Sequence, residues 1–426
     1  MTRALTDRQG RPVIVVTGMG LVTSLGWGKS QNWSRLIAGH SGVTTITRFP
    51  TDGLRTTIAG TIKAAASSTY SAFALSLAIA EAAADEAITQ AGIGSPGRFP
   101  GPLLIATPPS ELEWPQLRKL YAAAGARDKS GYERLLGAAR SGTFSELARH
   151  IEFASIADAV QNRFGTTGEP LSICTACASG ASTLQMAAER LRRGDAEAAL
   201  CVGTDATVHP EGLIRFSLLS ALSTRNDAPE QASRPFTRSR DGFVIAEGAG
   251  ALVLETYAHA KARGAAILGV VRGAGEKADS FHRTRSKPDG SAMIGAISKA
   301  LRDADATPGE IDHVNAHGTS TPENDKMEAL SLAAVLGSRL SEVPVTSNKS
   351  QLGHTLIAAG AVEAVIAFLT IGNGVIPPTI NHHDPDPDLH LDVVANTARA
   401  AQVRTVLSNS FGFGGQNVCL VLSGEP

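Results

Sequence analysis

The sequence predicts an α/β protein with largely parallel sheets, and three observations support this fold class. Short apolar, β-rich runs alternate along the chain with longer helical patterns. The strand-like runs are continuously apolar rather than alternating, as expected for strands that are buried on both faces. The chain has 426 residues, 43% hydrophobic and 19% charged, which is enough for a full core in one large or two medium domains.

Ten runs predict strands and five patterns predict helices. The strand-like runs lie at 13–17, 103–107, 171–176, 199–202, 251–255, 267–272, 313–316, 343–347, 405–407 and 418–422. The helical patterns lie at 71–91, 179–193, 291–304, 323–336 and 355–369. A charged helix end at 261–264 predicts a domain boundary, which divides the chain into halves of 1–264 and 265–426. No clear sequence repeat relates these halves.

A basic insertion of about residues 113–153 precedes the third predicted strand. Its apolar residues, such as Trp114, Leu117 and Tyr121, have helical spacing, which predicts two or three short amphipathic helices. Its bases are Arg118, Lys119, Arg127, Lys129, Arg134, Arg140 and Arg149.

Charge and cysteine usage favour a cytoplasmic protein. The formal net charge of −1 gives no overall electrostatic argument for binding nucleic acid or an acidic membrane. Four cysteines are too few for a disulfide scaffold in so long a chain. The first residues contain no apolar signal-peptide region, and the apolar stretch 356–371 is interrupted by Glu363 and is short for a membrane span.

Cys177 is the candidate nucleophile. An apolar run leads into it and a helical pattern leaves it, so the thiol is expected at a helix N-terminus, where its pKa is lowered and the thiolate is reactive. The pair Cys174 and Cys177 also permits a redox or zinc site. Both are disfavoured because Cys174 falls within the strand run, where a core cysteine is expected, and because Cys201 and Cys419 are isolated.

Two histidines and a lysine lie far downstream of this cysteine. His317 follows a predicted strand, at the end where active sites of α/β proteins gather. His354 begins a long apolar helix and follows Lys349, and both features favour a neutral ring that donates an N–H to an oxyanion. The remaining histidines at 313, 382, 383 and 390 are expected at the surface or in caps.

Two further features each leave alternatives open. Asp325 and Glu328 share one helix face, which is either solvated or supplies a carboxylate that keeps Lys349 charged. The loop Phe411-Gly-Phe-Gly-Gly415 is a flexible gate, a backbone oxyanion donor or a plain tight turn.

Taken together, these motifs resemble the β-ketoacyl-acyl-carrier-protein synthases, specifically the elongating type II condensing enzymes of the thiolase superfamily. The Cys-His-His pattern of Cys177, His317 and His354 separates this group from the initiating synthases and from non-catalytic chain-length factors. The motifs that carry the resemblance lie at 16–26, 175–180, 221–227, 233–236, 240–243, 314–322, 349–354, 377–381 and 409–415.

The resemblance implies a thiolase-like five-layer α-β-α-β-α fold from two similar halves, usually as a homodimer. It implies a 3-oxoacyl-[acyl-carrier-protein] synthase, an acyltransferase of fatty-acid elongation that performs a decarboxylative Claisen condensation. Acyl- and malonyl-loaded carrier proteins would be its partners. No metal and no organic cofactor are expected.

The resemblance also assigns roles to individual residues. Cys177 would carry the acyl group, while His317 and His354 would stabilise charge on the malonyl thioester oxygen. Lys349 would maintain the electrostatic potential of the site, with Glu328 as its partner. The remaining roles are a backbone oxyanion hole at Cys177 and Phe413, an acyl-pocket gate at Phe413, a substrate contact at Phe411, pantetheine contacts at Thr319 and Thr321, and a neighbouring mobile loop with Asp279 and Thr284.

Three departures from the family pattern are present. Gln416-Asn417 replaces the usual Thr-Asn, which is a mild change. The stretch 64–73 lacks the basic helix with which relatives grip the carrier protein, and Ser220 stands where they often carry arginine. The insertion at 113–153 replaces a stretch that in relatives helps to shape the dimer interface and the end of the acyl pocket, so the last two departures leave the carrier protein and the acyl length open. The basic insertion is therefore expected to bind a specialised carrier protein and help set acyl length, with a solvated basic surface as the alternative.

The alternative functions are a condensing enzyme for a very long chain or polyketide-like product and a non-catalytic partner subunit. The intact Cys177, His317, Lys349 and His354 disfavour the partner subunit. The two histidines also disfavour a CoA-dependent thiolase, which uses a second cysteine.

Overall fold

A computed structural model of the chain describes residues 6–63, 71–109, 111–123 and 130–425. All ten predicted strands and all five predicted helices are present. The strands are β1 (Ile14–Thr23), β2 (Leu103–Ala106), β3 (Leu171–Ile173), β4 (Ala198–Asp205), β5 (Gly248–Thr256), β6 (Gly269–Ala278), β7 (His313–Asn315), β8 (Pro344–Thr346), β9 (Thr405–Phe411) and β10 (Gln416–Ser423). The helices are α1 (Ala72–Ala91), α2 (Ser179–Arg192), α3 (Ser291–Asp303), α4 (Pro322–Leu336) and α5 (Ala359–Asn373).

Shorter elements connect this core. The additional helices are Lys29–Ile37, Trp114–Ala123, Gly131–Arg140, Ala148–Ile151, Ser155–Phe164, Pro210–Leu218, Tyr257–Ala262 and Lys349–Leu352. The additional strands are Gly26–Trp27, Thr44–Thr45, Ile58–Ala59, Val375–Ile376, Asp392–Val393 and Arg399–Ala400, and 3-10 turns occur at Ser145–Leu147, Pro229–Gln231, Pro308–Glu310, Gly337–Ser341 and Leu356–Ala358.

The two halves of the chain repeat one sheet topology. The first half has the order β3-β2-β4-β5-β1 and the second has β8-β7-β9-β10-β6, so each half places its five strands in the order third, second, fourth, fifth, first. The halves meet where β1 pairs with β6. The structural repeat therefore exists without a recognisable sequence repeat, and the boundary near residue 264 stays a prediction because the sheet continues across this pair.

The sheets are mixed, which corrects the expectation of largely parallel sheets. β2 is parallel to β3 and β4, and β7 is parallel to β8 and β9. β5 is antiparallel to β4 and β1, and β10 is antiparallel to β9 and β6. A buried apolar run reveals a strand but not its direction; here the short loop between β9 and β10 forces an antiparallel pair.

The helices and sheets form five layers, as the thiolase-like fold requires. α1 covers the first half, α3 and α4 cover the second, and α2 and α5 lie between and contact strands of both. The two central helices start in close contact, because a Cβ on Gly180 would lie 2.4 Å from the Ala361 nitrogen and one on Gly360 would lie 2.4 Å from the Ala181 nitrogen. Glycine at these positions lets the start of α2 approach the start of α5.

One described segment, Leu356–Asn373, has the length and the mean hydropathy (1.8) of a membrane span, but 78% of it is buried inside the protein. It contains α5, which packs between the two halves, so it serves as a core helix.

The basic insertion is helical as predicted, with two helices followed by shorter turns. Residues 124–129 of the insertion lie outside the described residues, as do 64–70.

Candidate active site

The turn between β3 and α2 presents Cys177. Ala176 has φ +49°, a left-handed conformation that costs an alanine roughly 1–2 kcal/mol. The Ser179 hydroxyl holds this turn, because it accepts from the Thr175 N–H at 2.7 Å and donates to the Ala176 carbonyl at 2.6 Å. Cys177 thus lies just before the first turn of α2, as the sequence predicted.

The pKa of the Cys177 thiol is opposite to the expectation. Burial raises it to about 11, while the positive charge of Lys349 and a hydrogen bond from the Phe413 N–H act in the opposite direction. The prediction of a lowered pKa was wrong, since the loss of solvent outweighs the nearby favourable charges and dipoles. The thiol is therefore protonated at neutral pH.

Cys174 also differs from its prediction. Strand β3 ends at Ile173, and Cys174 is exposed rather than part of the core. The apolar run 171–176 was longer than the strand, so the expected core position was wrong.

His354 is hydrogen-bonded to Cys177, with 3.1 Å between its Nε2 and the Cys177 sulfur. The Leu356 N–H donates to its Nδ1 at 3.2 Å. Because Nδ1 accepts, the single proton of the neutral ring belongs on Nε2, which faces the sulfur. Burial and Lys349 hold the pKa of His354 well below its usual value, so the ring is neutral as predicted.

His317 lies beside His354, with ring centroids 5.3 Å apart. Its pKa is also well below the usual value because of burial, Lys349 and His354, in that order. Its Nδ1 is buried without a hydrogen-bond partner among the described residues. The second imidazole is therefore also neutral and retains a nitrogen for a bound group.

Glu328 positions His317 instead of pairing with Lys349, which corrects the sequence prediction. Its two carboxylate oxygens accept from the backbone N–H groups of His317 at 2.8 Å and Gly318 at 2.7 Å. The Asn409 amide also donates to Glu328 at 3.0 Å. Asp325 and Glu328 are both fully buried, so the alternative of a solvated helix face is wrong as well.

The partner of Lys349 is Glu363, which in the sequence is visible only as an interruption of an apolar stretch. Lys349 Nζ donates to Glu363 Oε1, and both side chains are 3% exposed. Burial raises the pKa of Glu363 to about 7, and Lys349 partly offsets this effect. A single carboxylate on the otherwise apolar helix α5 was the available signal, because a charge in such a position requires a partner.

One pocket of about 430 Å³ connects these groups to solvent. The catalytic candidates Cys177, His317 and His354 lie on its wall. The other predicted site residues on this wall are Asp279, Thr284, Thr319, Thr321, Phe411 and Phe413. Most of the predicted site residues therefore lie on the pocket wall, whereas Lys349, Glu328 and Glu363 do not line it.

Three of these residues have contacts of their own. The hydroxyls of Thr319 and Thr321 are hydrogen-bonded at 2.9 Å. The Asp279 carboxylate accepts the backbone N–H groups of Phe281 and Lys287, so it shapes the 279–287 loop. The loop is joined to the glycine-rich loop Phe411–Gly415 by a hydrogen bond from the Gly414 N–H to the Arg283 carbonyl at 2.8 Å.

His313 was expected at the surface, but it is buried in β7 and its Nε2 lies 2.8 Å from the Thr346 hydroxyl. Burial lowers its pKa to about 3. It is a core histidine outside the pocket.

The ligand atoms of Cys177, His317 and His354 lie within 4.8 Å of one another, so a soft metal ion could contact all three. The proton on His354 Nε2 and the charge of Lys349 both oppose a cation there.

Comparison with known proteins agrees with this arrangement. The model of the beta-ketoacyl synthase N-terminal domain matches residues 11–260, and that of the C-terminal domain matches residues 268–383. The 3-oxoacyl-[acyl-carrier-protein] synthase 2 of Coxiella burnetii is 37% identical over 96% of this chain and 98% of its own length. The tetracenomycin polyketide synthase ketoacyl synthase alpha subunit of Streptomyces glaucescens is 35% identical over 98% of both chains.

Solved ketosynthase structures are also similar to this chain. A ketosynthase in complex with its type II polyketide synthase acyl-carrier protein has a TM-score of 0.86, with 31% identity over 97% of this chain and 100% of that chain. The ishigamide ketosynthase/chain length factor has a TM-score of 0.83, with 33% identity over 97% and 99%. The strand order, the Cys-His-His pocket and matches over almost the full length place this chain in the beta-ketoacyl synthase family.

Proposed function

We propose that the chain is a 3-oxoacyl-[acyl-carrier-protein] synthase that elongates an acyl chain by decarboxylative condensation. The observation that carries this proposal is the convergence of Cys177, His317 and His354 on one pocket, with the Lys349–Glu363 pair behind them. Thioester exchange and decarboxylation need a nucleophile and preorganised N–H donors, respectively.

In the first half-reaction Cys177 takes the acyl group from a carrier protein. The sulfur–carbonyl bond forms, the bond to the pantetheine sulfur breaks, and the proton of the Cys177 thiol ends on the pantetheine thiol. The backbone N–H groups of Cys177 and Phe413 are the proposed donors to the tetrahedral oxyanion, supported by the hydrogen bond from Phe413 to the sulfur.

In the second half-reaction a malonyl thioester occupies the space beside the acyl-cysteine. Loss of CO2 leaves two electrons on the malonyl α-carbon and negative charge on its thioester oxygen. His354 donates from Nε2 and His317 donates from one ring nitrogen, while the Lys349 charge favours this anion. The carbanion then attacks the acyl carbonyl carbon, the bond from that carbon to the Cys177 sulfur breaks, and the released thiolate takes up a proton from solvent, which gives a 3-oxoacyl product and restores the thiol.

Mass spectrometry after incubation with an acyl-carrier protein tests the nucleophile. Cys177→Ala is expected to abolish the acyl adduct and condensation while the protein remains folded, and Cys174→Ala to retain both. His317→Ala and His354→Ala are expected to acylate at Cys177 but to fail in malonyl decarboxylation. Loss of the adduct in Cys174→Ala, or acylation without Cys177, would contradict the assignment.

A polyketide-type condensing enzyme is the second candidate. The identities to the fatty-acid and polyketide relatives are nearly equal, at 37% and 35%. Product profiling with malonyl-carrier protein distinguishes the two, because only the polyketide type extends a chain that still carries its 3-oxo group.

We also propose a cytoplasmic homodimer. Among the described residues β3 pairs only with β2, so its outer edge is free, and Cys174 at its end is exposed. The insertion, moreover, carries exposed apolar residues such as Tyr132 and Ile151. A free sheet edge and exposed apolar side chains are both features that suit association with a second copy. Light scattering after size exclusion measures the mass.

A further inference from the structure

Asp205, the last residue of β4, carries a buried carboxylate that the proposed chemistry does not use. Its side chain is 1% exposed and does not line the pocket. Its Oδ1 accepts from the Thr207 N–H at 2.9 Å and from the Thr207 hydroxyl at 2.6 Å. Its Oδ2 accepts from the Ile357 N–H at 3.3 Å. The carboxylate therefore joins the end of β4 to the turn that follows His354.

The turn after His354 sets the direction of its ring. The backbone of His354 is held separately, because its N–H donates to the Val244 carbonyl at 2.7 Å and its carbonyl accepts from the Ala246 N–H at 2.9 Å. The ring depends instead on the Leu356 N–H, which donates to Nδ1 at 3.2 Å. This bond leaves the single proton of the neutral ring on Nε2, which faces Cys177.

Leu356 has a backbone conformation that needs support. Its φ of +46° lies in the left-handed region, which is unfavourable for a leucine. Two hydrogen bonds from the next residues hold the turn in this shape. The Ala358 N–H donates to the Thr355 carbonyl at 3.0 Å within the turn, and the Ile357 N–H donates to Asp205. The second bond reaches another part of the fold, so Asp205 anchors the turn to the end of β4.

The charge of Asp205 also acts on Cys177. Burial is the main reason that the pKa of the Cys177 thiol is raised, and the negative charge of Asp205 raises it further. Burial raises the pKa of Asp205 itself to about 6, so its carboxylate is ionised at pH 8. A neutral side chain at this position would thus have two opposite effects, because it would weaken the support of the His354 turn and favour the Cys177 thiolate.

We propose that Asp205 is a positioning residue for the second half-reaction, in which it acts through the turn at Leu356 and Ile357 to keep the Nε2 proton of His354 directed into the pocket. The inference rests on the proposed function, since His354 is the proposed donor to the malonyl thioester oxygen. The role is separable from that of the nucleophile, because the same negative charge disfavours the Cys177 thiolate. Loss of the charge should therefore slow decarboxylation and leave acylation intact.

The test uses two neutral variants, Asp205→Asn and Asp205→Ser, at pH 8. Release of CO2 from malonyl-carrier protein gives kcat for decarboxylation, and mass spectrometry follows both acylation of Cys177 by octanoyl-pantetheine and its alkylation by iodoacetamide. In the neutral variants kcat for decarboxylation is expected to fall about tenfold. Alkylation of Cys177 is expected to rise about threefold, because a nearby negative charge has been removed. Acylation is expected to stay at or above the wild-type rate.

Two further variants separate the role of Asp205 from general destabilisation. Asp205→Glu retains the charge and is expected to restore decarboxylation to within about threefold of the wild type, with alkylation unchanged. The matched control is Glu255→Gln, because Glu255 is also a fully buried carboxylate but accepts from Thr17 and Arg263 instead of from the His354 turn. It is expected to lower the urea midpoint while decarboxylation and alkylation stay within about twofold.

Several outcomes would count against the proposal. Unchanged decarboxylation in a folded neutral variant would overturn the role of Asp205. Equal losses of decarboxylation and acylation would also overturn it, because a merely structural defect affects both half-reactions. The same loss of decarboxylation in Glu255→Gln would have the same meaning. A wild-type protein that neither acylates Cys177 nor releases CO2 would instead contradict the proposed function.

Discussion

The buried pair of Lys349 and Glu363 makes the sharpest prediction of the structure. The sequence pointed to Glu328 as the partner of this lysine, whereas Lys349 Nζ donates to Glu363 and Glu328 accepts two backbone N–H groups. Double-mutant cycles distinguish the two partners, because only residues that interact directly show a large coupling energy.

The expected magnitudes follow from burial. With both side chains 3% exposed, removing one partner leaves an uncompensated buried charge, at a cost of about 3–5 kcal/mol. Removing both leaves no such charge, so Lys349→Met and Glu363→Gln should show a coupling of about 3 kcal/mol. Lys349→Met and Glu328→Gln should be additive within about 0.5 kcal/mol.

Urea denaturation at fixed protein concentration gives the free energies of unfolding. The measurement belongs at pH 8, above the pKa of about 7 to which burial raises Glu363, so that the carboxylate is ionised. At pH 6 Glu363 takes up a proton and the coupling to Lys349 should shrink. A coupling to Glu328 as large as that to Glu363, or one to Glu363 that does not fall at low pH, would refute the assignment.

Three further predictions concern other parts of the structure. Because the Cys177 thiol has a pKa of about 11, its alkylation by iodoacetamide should rise about tenfold per pH unit between pH 7 and 10, and a plateau near pH 8 would contradict this. Burial opposes the charged form of His209, but Glu111 and Glu211 raise its pKa overall, so its stabilising effect is present below pH 6.5 and lost as the pH rises through the raised value. His209→Gln should therefore lower the melting temperature more at pH 6 than at pH 9. Gly360→Ala should destabilise the protein by about 1–3 kcal/mol in urea denaturation despite the better helix propensity of alanine, because its Cβ would lie 2.4 Å from a backbone nitrogen of α2.

The fold was largely predictable because strands buried on both faces appear as continuous apolar runs. All ten were located, but β1 extends six residues past its predicted end at Thr17, and β3 stops three residues short of Ala176. The extra length of β1 includes Gly18 and Gly20, which weaken a strand pattern although α1 packs closely against them. The direction of each strand was not predictable from its apolar run, since direction depends on where in the sheet the connecting segment delivers the next strand.

The candidate site was predictable where the motif residues themselves line the pocket. Cys177, His317 and His354 meet there although they are separated by up to 177 residues. The partner of Lys349 was not predictable in the same way, because the sequence does not show which buried carboxylate faces the lysine. In the structure Glu363 on α5 accepts from Lys349, while Glu328 on α4 accepts the backbone N–H groups of His317 and Gly318.

The charge on Lys349 acts on three titrating groups at once. It lowers the pKa of the Cys177 thiol, which favours the thiolate, and it lowers the pKa values of His317 and His354, which favours neutral rings. In the proposed reaction both effects are useful, because the sulfur must carry negative charge transiently and the rings must donate rather than protonate the carbanion. Glu363 keeps this charge in place at a site that solvent does not reach. Because Glu363 is buried on α5, the packing of the central helices fixes the Lys349 charge that both proposed half-reactions use.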